Sequence, residues 1–213
     1  MTDQDKPKQR KWDGTAFEPD PDLWAQLIRE RPEEICRKAL VNYDHEKGFL
    51  LPFLNQTFQI LPTKQSIIPL YAKAPHVQTF ESDLIILTYL LRAKAINIGG
   101  TLVNEKQIPG GEAFFRGPHT LYTRSMEKLF GQDRDAFLLV GTKLNGKVTD
   151  LGDAGICLPV LPRVPVTLIL WLKDDEFPAE IKVGFDSTIS HHLPLDVIWA
   201  MINVISQWMK LSV

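Results

Sequence analysis

VTLILW at residues 166–171 and EIKVGFD at residues 180–186 are the two stretches whose reading decides the fold. In the second, Ile181, Val183 and Phe185 alternate with Glu180, Lys182, Gly184 and Asp186. Strict period two places every other side chain on one face, so this is a strand with one buried side. The first is a short hydrophobic strand. Residues 173–179 can turn the chain between them, and the pair predicts an antiparallel hairpin.

Beyond this hairpin, the chain closes with a helix expected from about Pro194 to Leu211. Its polar residues Asp196, Asn203, Ser206, Gln207 and Lys210 form a narrow stripe, and the remaining surface is apolar. Residues 80–95 repeat this pattern: Leu84, Ile85, Ile86, Leu87, Leu90 and Leu91 leave only Thr88, Arg92 and Ala95 outside the apolar surface. Such a helix belongs at the centre of a core. Nearer the N-terminus, GFLLPFL, TFQIL and residues 67–71 are separated by Asn55-Gln56 and Pro62-Thr63-Lys64, which reads as a three-stranded meander. Pro52 and Pro69 place their strands at edges or bulges. Asp20 or Asp22 can cap a first helix, Pro32 starts a second, Pro118 a third running through Met126 and Leu129, and Asp133 caps a fourth. Pro159, Pro162 and Pro165, spaced by three around Arg163, read as a polyproline crossover. The whole implies four to six helices and six to eight strands in local meanders. The fold class is therefore α+β, with antiparallel meanders packed against a buried central helix and an apolar C-terminal helix. Length predicts one domain over 19–213, after a disordered, slightly basic arm over 1–18.

Composition narrows the function classes. The chain has 24 basic and 26 acidic residues, net −2, which gives no bulk attraction to nucleic acid or membrane. Cys36 and Cys157 form no CxxC pair, so a zinc or iron–sulfur centre of the chain's own is not expected. The first residues carry no apolar run, which argues against a secretory signal, and a cytoplasmic location follows by default.

Three groups could carry chemistry. IPGGEAFFRGPHTLY combines Gly110-Gly111, which permit close backbone approach, with Arg116 and His119 beside an expected helix start; amide donors, guanidinium and imidazole would suit a carboxylate or phosphate. FDSTISHHLPLD sets Asp186 at a strand end, with His191 and His192 before a helix. A metal there would need a third ligand from elsewhere, and no metal or cofactor is assigned. WLKDDEFPAE offers Asp175 and Glu176 as acid/base candidates in a hairpin loop.

LPRVPVTLILWLKDDEFPAEIKVGFDSTISHHLPLD, with TYLLRAK and IPGGEAFFRG, resembles the signature of an uncharacterised, mainly anaerobe-associated prokaryotic family, domain of unknown function thirty-seven eighty-six. The resemblance spans roughly residues 23–210 and draws attention to Gly110, Gly111, Phe115, Arg163, Asp186 and His192. It also falls on Trp171, Asp175, Glu176, Phe177, Pro178, Phe185, Leu193 and Pro194. Relatives in the family it resembles are sometimes fused or adjacent to iron–sulfur modules and corrinoid-linked methyl-transfer proteins. The resemblance therefore implies a ligand or partner from redox or methyl-transfer metabolism, although this chain has no cysteine cluster. The leading expectation is a module binding an anionic small molecule, tetrapyrrole or corrinoid-like forms included, between the Gly110–His119 and Asp186–His192 loops. Two alternatives stand beside it: an enzyme pairing Asp175 or Glu176 with His192, and an assembly partner, for instance a homodimer through the C-terminal helix.

Overall fold

The computed structural model describes residues 20–71 and 79–213; the arm expected over 1–18 lies outside them. Two helices open the fold. α1 (Pro21–Arg29) is capped by the Asp20 carboxylate, which accepts from the Asp22 N–H, and buries Trp24 and Leu27. α2 (Pro32–Ala39) starts on its proline with Glu33 and Glu34 in the positive first turn. β1 (Asn42–Asp44), β2 (Gly48–Phe53), β3 (Gln56–Leu61) and β4 (Ser66–Pro69) follow as a four-stranded antiparallel sheet in that order. The expected meander thus has one more strand: β1 is exposed at all three positions and carries no apolar alternation to reveal it. Pro52 lies past the β1 pairing, which ends at Leu50, and Pro69 lies on the edge strand, so neither removes a needed ladder donor.

α3 (Phe80–Arg92) is the expected central helix. Thr79 and Ser82 cap it reciprocally, each side chain accepting from the other's N–H. β5 (Leu102–Val103), α4 (Gly111–Phe114), α5 (Arg124–Phe130) and α6 (Arg134–Lys143, capped by Asp133) lead to β6 (Lys147–Thr149). β7 (Ala154–Leu161), β8 (Val164–Trp171), β9 (Glu180–Asp186) and α7 (Leu195–Leu211) complete the chain. The second sheet is antiparallel in the order β5-β9-β8-β7-β6.

Two expectations need correction. Pro118 starts only a single 3-10 turn, Gly117–His119, and α5 begins separately at Arg124. The proline run is the β7–β8 hairpin rather than a crossover: Pro159 stands opposite Pro165, and Pro162-Arg163 form its tip.

α7 packs on α3 and α5, and its Trp208 meets Phe53 of β2 edge-on at 5.7 Å. Apolar side chains from Trp24 through to Met209 form one buried cluster. Val197, Ile198, Met201, Ile202, Ile205 and Met209 of α7 are all inside it, so most of the helix's apolar face is spent within the fold. Among the described residues no helix is long and apolar enough to cross a membrane. Both cysteines are free and half-buried.

Candidate functional site

The polar residues of the second sheet's end converge on one irregular segment. After Arg92 the chain runs through residues 93–101 without regular structure, mostly exposed. Three buried side chains hold it. At the end of β9, the Asp186 carboxylate accepts from Gly99 N–H at 3.0 Å and Gly100 N–H at 2.7 Å, and from the N–H and hydroxyl of Thr188 at 3.0 and 2.6 Å. Burial alone would raise its pKa, but these donors favour the charged form and hold it below the usual carboxylate range. His192, wholly buried, accepts from the Lys94 N–H through Nδ1 at 3.3 Å. Its proton therefore sits on Nε2, which has no hydrogen-bond partner among the described residues. Arg163, 6% exposed, donates to the carbonyls of Lys38 at 2.7 Å, Ile96 at 2.6 Å and Arg37 at 3.3 Å. The guanidinium thus fastens the C-terminal turn of α2 to the segment after α3. Tyr89 closes the same junction: its hydroxyl donates to the Ala39 carbonyl and accepts from the Arg163 N–H.

The other expected site residues have structural partners of their own. Gly110 takes φ +78°, which favours glycine, and a β-carbon on Gly111 would overlap the Glu105 carbonyl oxygen. The close approach that Gly111 permits is to the protein's own backbone. Gly111→Ala is expected to lower the unfolding free energy by about 2 kcal/mol, and Gly110→Ala by about 1 kcal/mol; urea titration of the two variants would reverse that order if Gly111 were free to shift. Arg116 is exposed and pairs with Glu112 at 3.2 Å. His119 stacks on Phe114 at 4.5 Å and meets Trp199 edge-on at 5.9 Å.

The Gly110–His119 loop packs against α7, the helix that follows the Asp186–His192 loop: Gly110 abuts Leu195, and His119 abuts Trp199. The polar groups of the two loops nevertheless face different partners. Arg116 turns to solvent and Glu112, Asp186 and His192 turn to the clamped segment, and His191 is exposed on its own 3-10 turn. The acidic loop is separate again. Asp175 and Glu176 are exposed before β9, and His192 is buried after it. The six residue steps of that strand span about 20 Å from Glu180 to Asp186. Asp174 caps that loop, accepting from the Glu176 and Phe177 N–H groups, which lower its pKa.

Sequence reasoning missed a different cluster. α5 stands as a ridge between two hollows. On one flank, Tyr122, Arg124, Ser125, Lys128, Leu129 and Lys210 line a hollow of about 530 Å³. Three of these residues are cations and none is acidic. Arg124, Lys128 and Lys210 are exposed and make no ion pair among the described residues. The other flank holds about 450 Å³ and shares Arg124, Lys128 and Leu129, adding Lys173, Pro178 and Ala179 from the β8–β9 connection. Arg124 and Lys128, four residues apart on one helix face, were the only sequence signal; Lys173 and Lys210 join them through the tertiary fold.

A family model described as Domain of unknown function (DUF3786) matches residues 31–208, as the resemblance implied. No curated protein and no solved structure matches the chain.

Proposed function

The chain belongs to the DUF3786 family, and because that family's description assigns no activity, we propose from the geometry of this chain that it is a binding module for an anionic small molecule. The observation that supports this reading is the α5–α7 hollow, where three cations without an ion pair among the described residues gather with no acid in the lining, in a chain of net charge −2. An approaching carboxylate or phosphate would meet the Arg124 guanidinium as a planar fork, with Lys128 and Lys210 as flanking point charges. Tyr122, 54% exposed, and Leu129, 41% exposed, offer apolar surface to the rest of the ligand. Carboxylated tetrapyrroles and corrinoids fall in this chemical class. An axial bond from His192 has no support, since that ring is interior and its Nδ1 is already engaged.

Titration calorimetry with tripolyphosphate and with citrate tests the reading. Binding is expected at low salt, about tenfold weaker in the Arg124→Gln/Lys128→Gln double variant and falling with ionic strength. If neither anion binds the unmodified protein at low salt, the reading is wrong.

A further inference from the structure

Resting on that reading of the hollow as an anion site, we infer that the α5 ridge also takes an extended acidic peptide segment of a partner protein, lying across both hollows. A single phosphate or carboxylate held by Arg124, Lys128 and Lys210 fills one hollow only. Lys173 stands in the other, exposed and without an ion pair among the described residues, so it calls for a second anionic group on the far side of the ridge. The second hollow also contains two acids, Glu127 and Asp133. Glu127 accepts from the Thr123 hydroxyl and the Ile181 N–H, and Asp133 accepts from the Ala136 N–H as the cap of α6. Both carboxylates are held in place by internal donors. A nucleic-acid backbone, with a charge at every step, would be drawn past them at a repulsive cost. A peptide can place acids opposite Lys210, Arg124, Lys128 and Lys173 and uncharged residues opposite Glu127 and Asp133. Leu129, Pro178 and Ala179 also line the hollows and are available to aliphatic side chains that an inorganic polyanion lacks. Six extended residues reach about 20 Å, enough to cross a helix of about 10 Å diameter and enter both flanks.

Fluorescence anisotropy with a labelled Glu-Leu-Glu-Glu-Leu-Glu peptide tests this, beside calorimetry with tripolyphosphate and anisotropy with a labelled oligo-dT of equal charge. The probes are titrated into the full chain and into the surface variants Lys210→Glu and Lys173→Glu. The peptide is expected to bind about tenfold more weakly to each variant. Tripolyphosphate should lose affinity for Lys210→Glu and keep it, within about twofold, for Lys173→Glu. Oligo-dT should bind the unmodified chain more weakly than the peptide. Three results overturn the peptide: no peptide binding, peptide affinity unchanged in Lys173→Glu, or oligo-dT binding as tightly as the peptide. If tripolyphosphate binds in any of those cases, the small-anion reading survives; loss of binding by every probe overturns both.

Discussion

Arg163→Met should lower the unfolding free energy by about 3–5 kcal/mol, because hydrogen bonds from a charged donor are worth about 1.5–3 kcal/mol each. The guanidinium makes three of these, to Arg37, Lys38 and Ile96, one of them long at 3.3 Å. Methionine fills much of the volume but donates nothing, and the two close carbonyls lose their partner in a half-buried junction. Arg163→Lys should recover less than half, since one ammonium cannot reach α2 and the segment after α3 with the same fork. Urea unfolding followed by tryptophan fluorescence gives the free energies. Amide exchange at residues 94–101 should accelerate in the methionine variant beyond the global change, because that segment loses one of its three anchors. A loss under about 1 kcal/mol would show that the carbonyls find water and that the guanidinium is not what holds the junction.

The second large effect is a pH dependence. Burial first, then the nearby Arg163 charge and His191, push the His192 pKa from its ordinary 6.5 down to about 4, with Asp186 opposing. In the unfolded chain this imidazole takes up its proton as pH falls through about 6.5; in the folded chain it does not until about pH 4. Between those values the unfolded state binds more protons, so stability is lost as pH falls through that window and is unaffected by this group above it. The contribution amounts to about 3 kcal/mol across the window. Carboxylates such as Asp186 also titrate in acid, so the measurement is a difference: urea unfolding at pH 7.5 and pH 4.5 for the natural chain and for His192→Gln. The natural chain should lose about 2–3 kcal/mol more than the variant over that range. Parallel losses would mean that the ring is protonated in the fold or open to water.

Both effects rest on residues that the sequence marked unevenly. Asp186 and His192 stood out because a strand end and a helix start bracket them, but their partners lie 86 and 98 positions away. Those partners are backbone amides, which no residue type advertises. Arg163 looked like a passenger in a proline run. It became the fastening between α2 and the segment after α3 only when the β7–β8 hairpin put it at its tip, opposite Tyr89. Gly110-Gly111 signalled close backbone approach, and what Gly111 approaches is the Glu105 carbonyl of the same chain. The cations of the α5 ridge were unreadable as a group: Arg124 and Lys128 share a helix, whereas Lys173 and Lys210 arrive from a hairpin loop and the last turn of α7.

What the sequence by itself determined is the local layer. Period-two alternation made β9 a strand, near-continuous apolar cover made α3 and α7 core helices, and short polar breaks kept the strands antiparallel, because side-chain periodicity and turn chemistry act over a few residues. Only the tertiary structure decided which polar groups are internal fasteners and which charges stay open to solvent. Hydrogen bonding and charge pairing depend on which distant segments packing brings within about 3–4 Å, and no local pattern encodes that distance.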